Sequence, residues 1–269
     1  MSVITISRGS YSKGKEIAQK LAAKLGYECI WRNVLLEASE HFNIPEVKLI
    51  NAIHDAPSVL ERFTYGKERY IAFFREALLE HIKKDNIVYH GLGGQFFLKG
   101  VPHVLKVRII ANMEDRIREE MEREKISENK ARHIIQKDDD ERRKWSLHLY
   151  GVDVWNPKLY DLTIHINKLS VEDAVDLLAY NVSLPCFQTT PKSQMILNDL
   201  ILAAKVQLAL INEFPKAKAS SNDGNVYVAI ASSTGHESNT AARVNDLVKE
   251  VPGIKSIETN VIPPAVFPD

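Results

Sequence analysis

The sequence predicts an α/β protein: a parallel sheet flanked by helices, followed by a small second domain with the order α-β-β-α-β. Three observations support this prediction. Short β-rich runs alternate with amphipathic helical patterns over the first two thirds of the chain, a glycine-rich loop joins the first strand to the first helix, and the composition changes abruptly at residues 183–192. Such alternation favours right-handed β-α-β units and therefore a parallel sheet, whose ligands lie beyond the carboxyl ends of its strands.

The bulk composition excludes several classes of protein. The 269 residues are 45% apolar and 26% charged with a formal net charge of +0, so no general electrostatic attraction to nucleic acid is expected. Two cysteines, Cys29 and Cys186, are too few for a disulfide framework or a structural zinc site. We see no signal peptide and no apolar stretch approaching about 20 residues, so we expect a cytoplasmic protein without a transmembrane segment.

The first strand leads directly into a phosphate-binding loop. Val3–Ser7 favours a strand, and the spacing Gly9-x-x-x-x-Gly14-Lys15 follows it. Glycines let the backbone wrap closely around a polyphosphate, the following helix adds the positive end of its dipole, and Lys15 can reach the β- and γ-phosphates. The residues expected to contact the nucleotide here are Gly9, Ser10, Tyr11, Ser12, Lys13, Gly14, Lys15, Glu16 and Ile17.

The first helix departs from the usual pattern just after the loop lysine. Apolar positions at Ile17, Leu21 and Leu25 keep a helical spacing that stops at Gly26. The hydroxyl that usually follows the loop lysine and helps to hold Mg²⁺ is absent, and Glu16 stands there instead. A carboxylate at this place either ligates Mg²⁺ or only favours the helix dipole. Both interpretations stay open, and the metal ligands are unknown.

The later elements complete the sheet and then begin a second pattern. Further strands are predicted at Glu28–Ile30, Asn86–His90, Val104–Ala111 and Asp161–Ile166, and helices at Glu68–Lys84, Glu114–Glu124 and Val171–Tyr180. After the proline-rich break, a helix, a turn at Asn222–Asn225, an alternating strand, a second helix and a last strand follow. We therefore divide the chain into a first domain at 1–182, a linker at 183–192 and a second domain at 193–269.

A densely charged segment lies between the fourth and fifth predicted strands. It runs from Glu114 to Lys144 and contains Arg116, Arg132 and the run Lys137–Lys144. One interpretation is a solvated helix surface with i,i+4 ion pairs. The other is a mobile lid, because phosphoryl transfer needs cations around the transferred group and a cover that excludes water.

Several of these motifs resemble the cytidylate kinase-like branch of the P-loop nucleoside monophosphate kinases. The resemblance covers about residues 1–182, and it rests on the phosphate loop, Glu114–Arg118, Met121–Ser127, Ile135–Arg142, Tyr150–Asp153, Leu159–Thr163 and Leu169–Asp173. It implies the kinase sheet of that family, ATP and Mg²⁺ as cofactors, and nucleotide substrates. The neutral net charge predicts no nucleic acid partner.

The same resemblance implies roles for individual residues. Arg142 would grip the transferred phosphoryl group beside Arg143, and Lys15 and the lid residue Asp139 would complete the catalytic set. Arg116 would pack against the adenine of ATP, and Arg132 is a further lid candidate.

The acceptor side departs from the family pattern. The family has Asp-Arg after the second strand, and this chain has Trp31-Arg32, so Arg32 alone carries over as the residue that binds the acceptor phosphate. The family's third strand ends in Gly-Arg, and here it ends in Gly91-Leu92.

The second domain resembles a BON domain. The matching features are Asp223-Gly224 before an alternating strand and Val251–Ile254 before the last one. This resemblance implies a module for self-association or for binding an unknown partner.

Two functions follow as hypotheses. The first is an ATP-dependent nucleoside monophosphate kinase that transfers a phosphoryl group to a small phosphate acceptor such as CMP or dCMP. The alternative is a catalytically weak nucleotide-binding regulatory protein, which Glu16, Trp31 and Leu92 favour because each replaces an expected metal-side or acceptor-side group.

Overall fold

The computed structural model describes residues 2–10, 12–31, 65–91, 93–231 and 237–262. These residues form two compact units. The first draws on the described residues within 1–59 and 84–190, and the second on those within 60–83 and 191–269. The chain therefore enters the second unit twice, once between two strands of the first unit and again at its carboxyl end. The domain boundaries given above stay a prediction.

The elements follow the predicted order. The strands are β1 (Val3–Arg8), β2 (Glu28–Ile30), β3 (Ile87–His90), β4 (Val104–Ala111), β5 (Leu162–Ile166), β6 (Lys218–Asn222), β7 (Asn225–Ala231) and β8 (Ser256–Ile262). The helices are α1 (Gly14–Leu25), α2 (Gly66–Ile82), α3 (Gly94–Phe97), α4 (Met113–Glu124), α5 (Glu128–Tyr150), α6 (Val171–Val182), α7 (Pro191–Leu210) and α8 (Glu237–Val248).

Within the described residues of the first unit, five strands form one sheet in the order β2-β3-β1-β4-β5, with every pair parallel. The register sets Val3 opposite both Ile87 and Val104, and Arg8 opposite Ile109. The carboxyl ends of β1, β3 and β4 therefore meet at one edge, where the phosphate loop begins. The predicted α/β fold with a parallel sheet and flanking helices is confirmed.

The core of this unit is built on the central strands of the sheet. Consecutive residues of β1 are buried, as expected for a parallel strand between two helical layers. Helices α1 and α6 contribute to the same core. Its fully buried members include Ile4, Ile6, Ile17, Leu21, Val88, Leu105, Val107, Ile109 and Leu178. This packing holds the start of α1, and with it the loop, against β1.

Helices α4 and α5 form a hairpin after β4. Lys125 joins them in the left-handed conformation (φ 56°), and a small apolar cluster centred on Ile117, Ala131 and Ile135 lies between them. Most charged side chains of the hairpin point into solvent, as in Arg132, which pairs with Glu128 one turn earlier at 3.1 Å. Such exposed pairs stabilise a helix only weakly. The solvated-surface interpretation therefore describes most of this segment.

The second unit contains α2, α7, α8 and a three-stranded sheet in the order β6-β7-β8. Strands β6 and β7 are antiparallel, and β7 and β8 are parallel. The predicted order α-β-β-α-β is confirmed as α7-β6-β7-α8-β8. Its core is formed chiefly by Val206, Leu210, Val226, Val228, Ile230, Val244 and Val248. Helix α2 packs on α7 and is tied to it by an Arg75–Gln207 hydrogen bond of 3.3 Å.

Candidate functional site

The phosphate loop is anchored to the end of β4. The Gly9 N–H donates to the carbonyl of Ile109 at 3.2 Å. The fully buried Ser12 hydroxyl lies close to two carbonyls, those of Gly9 at 2.9 Å and Ile109 at 3.1 Å. Because the Ser12 side chain is used inside the protein, a ligand at the loop would meet its backbone and not its hydroxyl.

The turn into α1 requires a glycine for steric reasons. Lys13 adopts the left-handed conformation (φ 65°), and α1 begins at the next residue. A Cβ at Gly14 would lie 2.7 Å from the Cβ of Arg8, which is carried by strand β1 and cannot move freely. Gly14 therefore allows the N-terminus of α1 to approach β1, which directs the positive end of the helix dipole toward the loop.

Lys15 points toward the ends of β2 and β3. Its ammonium lies 6.0 Å from the centroid of the Trp31 ring, and Trp31 stacks on His90 with ring centroids 5.8 Å apart. Lys13 pairs with Glu119 at 2.9 Å, whereas no carboxylate among the described residues pairs with Lys15. Lys15 is thus the loop cation left available for an anion.

Three residues of the hairpin converge on Ser10. The Ser10 N–H donates to Asp139 Oδ1 at 3.0 Å, and Arg116 Nε donates to the Ser10 carbonyl at 2.7 Å. Arg142 Nε donates to the Ser10 hydroxyl at 3.1 Å. The hairpin therefore contacts the phosphate loop through the residues that the sequence singled out, and Ser10 is the point where they meet.

Arg116 and Asp139 also bind each other. Arg116 Nη2 lies 2.6 Å from Asp139 Oδ2, and the two side chains are only 9% and 17% exposed. Removing one partner of so buried a pair leaves the other charge buried and unpaired, which strongly destabilises the folded protein. The pair therefore braces the loop against the hairpin. Packing of Arg116 on an adenine ring stays a prediction.

Arg143, next to Arg142 along the helix, faces a different environment. Its guanidinium donates two hydrogen bonds to Asp153 Oδ2, at 3.0 and 2.6 Å, and lies 4.5 Å from the centroid of the Trp155 ring. Successive helical residues point about 100° apart. Arg142 therefore contacts the phosphate loop, and Arg143 contacts the segment after α5.

Glu16 is engaged on the surface of α1. Its carboxylate pairs with Lys20 at 3.0 Å and lies 3.9 Å from the Lys13 ammonium, and its side chain is 43% exposed. Lys20 in turn pairs with Glu172 of α6 at 2.6 Å. This geometry favours the interpretation of Glu16 as a helix-surface residue. The described part of the chain brings no three His, Cys, Asp or Glu side chains together as a metal site.

The sequence predicts an acceptor side at the ends of β2 and β3. Arg32, Leu92 and the loop residue Tyr11 lie outside the described residues. His90, at the end of β3, is 1% exposed, and neither of its ring nitrogens has a hydrogen-bond partner within the described chain. Burial, with the nearby charges of Arg8 and Lys15, lowers the pKa of His90 to about 4. The neutral imidazole of His90 therefore stacks on Trp31, the residue that replaces the aspartate of the family pattern.

A profile of the cytidylate kinase-like family matches residues 3–168. That stretch holds the whole parallel sheet, the phosphate loop and the hairpin. The chain belongs to the cytidylate kinase-like family.

Relatives of this family member are distant. A cytidylate kinase from Staphylothermus marinus is 28% identical over 99 residues, which are 37% of this chain and 55% of that enzyme. The chain thus spans about half the length of the curated relative that it matches. An uncharacterized protein from Eubacterium ventriosum shares the fold with a TM-score of 0.52 and 19% identity, over 68% of this chain and 98% of that one. A shikimate kinase from Bacteroides thetaiotaomicron gives a TM-score of 0.43 and 13% identity, over 68% and 99%.

The family match lies largely in the first unit, where sequence reasoning named the hairpin residues but not their meeting point at Ser10. The spacing of Asp139 and Arg142, three residues apart on one helix, indicates a shared face and could have pointed to a common target. A search of the described helices finds none that is long and apolar enough to span a membrane. The BON-like assignment of the second unit stays a prediction.

The buried imidazole predicts a pH dependence of stability for this cytidylate kinase-like protein. Histidine in the unfolded chain titrates near its ordinary pKa of 6.5, and folded His90 has a pKa of about 4. As pH falls from about 6.5 to about 4 the unfolded state binds the proton first, so stability drops by up to about 3 kcal/mol. His90→Gln should flatten the pH dependence of the free energy of unfolding, measured in urea at several pH values.

A matched control for this experiment is His133→Gln, because His133 is exposed on α5. It should retain the wild-type pH dependence. Residual slope in His90→Gln is expected from His103, whose pKa burial also lowers. A slope identical in wild type and His90→Gln would contradict the account of His90 as a buried neutral group.

Proposed function

We propose that this chain is an ATP-dependent phosphotransferase of the nucleoside monophosphate kinase type, with CMP or dCMP as the first acceptors to test. The observation that carries the proposal is the convergence on Ser10 of Asp139, Arg116 and Arg142 from the hairpin. Lys15 supports it as well, because no carboxylate among the described residues pairs with this lysine. A phosphate loop and a hairpin arginine in contact provide the two halves of a donor site.

The loop residues fit a polyphosphate. Gly14 allows the start of α1 to pack closely against Arg8 of β1, and α1 begins there with its positive dipole end directed toward the loop. Lys15 supplies the mobile cation for the β- and γ-phosphates. ATP would supply the phosphoryl group. The described residues bring no three His, Cys, Asp or Glu side chains together, and Mg²⁺ would be held chiefly by the nucleotide's own oxygens and water.

The protein's own work in the transfer is electrostatic. Negative charge spreads over the equatorial oxygens of the moving phosphoryl group, and fixed cations stabilise it most when water is excluded. We assign that role to Arg142, which contacts the loop at Ser10, and to Lys15. Asp139 positions the loop by accepting from Ser10 and by holding Arg116. Arg32 is proposed to bind the acceptor phosphate.

The second candidate is a catalytically weak nucleotide-binding regulatory protein. The observation that favours it is the Trp31–His90 stack, with ring centroids 5.8 Å apart, beside Lys15. An aromatic ring and a neutral imidazole attract an acceptor phosphate less than the arginines of the family pattern would. Binding of ATP would then persist without turnover.

A steady-state assay separates the two candidates. ADP release is followed with ATP and each of the common nucleoside monophosphates in turn, and ATP affinity is measured in parallel. The kinase proposal predicts acceptor-dependent ADP release, greatest with CMP or dCMP. ATP binding without acceptor-dependent release would favour the regulatory candidate. ADP release that is greatest with a purine monophosphate would support the kinase proposal but contradict CMP or dCMP as the acceptor.

A further inference from the structure

The second unit contains a cleft that lies apart in sequence from the phosphate loop. It is an open cleft of about 460 Å³, a volume within the range of small-molecule pockets. One side is a face of α7 that includes Ile201 and Leu202, with the half-exposed Met195 beside them. The other side is built from the β6–β7 turn, the turn after α8 and the end of α2. The cleft therefore has an apolar floor and walls from three separate segments.

The wall opposite α7 is held in place by two turns in close contact. The Lys255 N–H donates to the Gly224 carbonyl at 2.8 Å. A Cβ at Gly224, where φ is 77°, would lie 3.0 Å from the Gly253 carbonyl oxygen. The wall is thus packed backbone to backbone, so the cleft is a formed feature of the unit.

Asp199 ties this wall to α7. Its carboxylate accepts from the N–H groups of Asp223 and Gly224, at 2.9 and 3.1 Å, and from the Ser221 hydroxyl at 2.8 Å. Partial burial opposes ionisation of Asp199, and these hydrogen bonds outweigh it and lower its pKa. The Asp199 carboxylate is therefore ionised and held against the turn, where it fixes the wall of the cleft.

Three lysines surround the same space. Lys205 pairs with Glu80 at 2.8 Å and Lys255 with Asp223 at 2.8 Å. The Lys255–Asp223 pair is about 60% exposed on both sides and easily exchanged for another anion. None of the carboxylates in the described ranges pairs with Lys83, the third lysine. The rim can thus offer cationic charge to a ligand without first breaking a buried ion pair.

We propose that this cleft binds a small phosphate monoester whose organic part is a ring or another compact apolar group. The apolar part would lie on Ile201, Leu202 and Met195, and the phosphate would be held by Lys83 and Lys255. A free phosphate would contact only the lysines, and an uncharged ring would contact only the apolar side chains. The site is separate from the donor site proposed above and does not depend on kinase activity.

Methionine methyl NMR on the full chain tests this directly. The sequence contains 4 methionines, of which Met195 lines the cleft, whereas Met113 and Met121 lie on the hairpin helix α4. Phenyl phosphate and AMP are titrated separately, with inorganic phosphate and phenol as partial probes. Met195, assigned with Met195→Leu, is expected to shift and saturate with both monoesters. Inorganic phosphate and phenol should each bind at least about tenfold more weakly.

Lysine variants locate the phosphate. Lys83→Gln and Lys255→Gln are each expected to weaken monoester binding at Met195 by about 3- to 10-fold, and Lys15→Ala should leave it unchanged. Lys249→Gln is the matched control, because Lys249 is an exposed lysine of the same unit that pairs with Asp246 outside the cleft. No shift of Met195 with either monoester, equal affinity for phenol, or full affinity in both lysine variants would overturn the proposal.

Discussion

Replacing Arg142 by alanine is expected to lower kcat by about 10²- to 10³-fold while changing the KM for ATP little. Arg142 reaches the phosphate loop by donating from Nε to the Ser10 hydroxyl at 3.1 Å. In the proposed transfer an arginine in this place would stabilise charge that develops on the moving phosphoryl group, and such groups act mainly in the transition state. Steady-state kinetics with the best acceptor measures the effect.

Arg143→Ala is the matched control. It removes the same charge from the adjacent position, but from a side chain bound to Asp153 and stacked over Trp155. Its kcat should stay within about threefold of wild type. Equal losses in the two variants would mean that the net charge of the hairpin, and not the contact with the loop, determines turnover.

Gly14→Ala is expected to weaken ATP binding by at least about tenfold and to lower the free energy of unfolding by about 1–3 kcal/mol. The new Cβ would lie 2.7 Å from the Cβ of Arg8 and 2.9 Å from its Cδ. Either β1 or the start of α1 must move, and the loop lies between them. Titration of ATP by calorimetry and urea unfolding measure the two effects.

Gly26→Ala is the control at the other end of the same helix. Gly26 has φ 69°, and a Cβ there would meet nothing within 4 Å. Alanine should cost about 1 kcal/mol of stability through backbone strain alone. Its ATP affinity should equal that of wild type. If Gly14→Ala also bound ATP normally, the close approach of α1 to β1 would not be needed for the site.

The parallel sheet could be predicted because each strand has a local signature. Val104–Ala111 and Glu28–Ile30 were predicted with the bounds that the structure has, and β1 extends only one residue further, to Arg8. Buried parallel strands read as short apolar runs whatever they pair with. The loop was equally visible, because its glycines and lysine have fixed spacing.

The convergence on Ser10 could not be predicted in the same way. Ser10 is 106 residues from Arg116 and 132 from Arg142, so the contacts depend on how the hairpin folds over the sheet edge. The family resemblance identified Arg116, Asp139 and Arg142 as site residues, but it did not identify Ser10 as the residue that all three contact.

The grouping of α2 with the second unit is a further non-local feature. The predicted helix Glu68–Lys84 is present as α2, yet it packs on α7, more than a hundred positions later in the chain. The amphipathic pattern of this helix predicts a buried face but does not indicate which element packs against it. The Lys205–Glu80 pair and the cleft at Lys83 follow from that packing and were equally hidden.

The most direct test of the central claim is single-turnover transfer from ATP labelled at the γ-phosphate to CMP, in wild type and Lys15→Ala. The account predicts labelled CDP with wild type and a rate at least about 10²-fold lower in the variant, because Lys15 is the loop cation that no described carboxylate neutralises. Labelled product at the same rate in both proteins, or none from wild type with any nucleoside monophosphate while ATP binds, would contradict it.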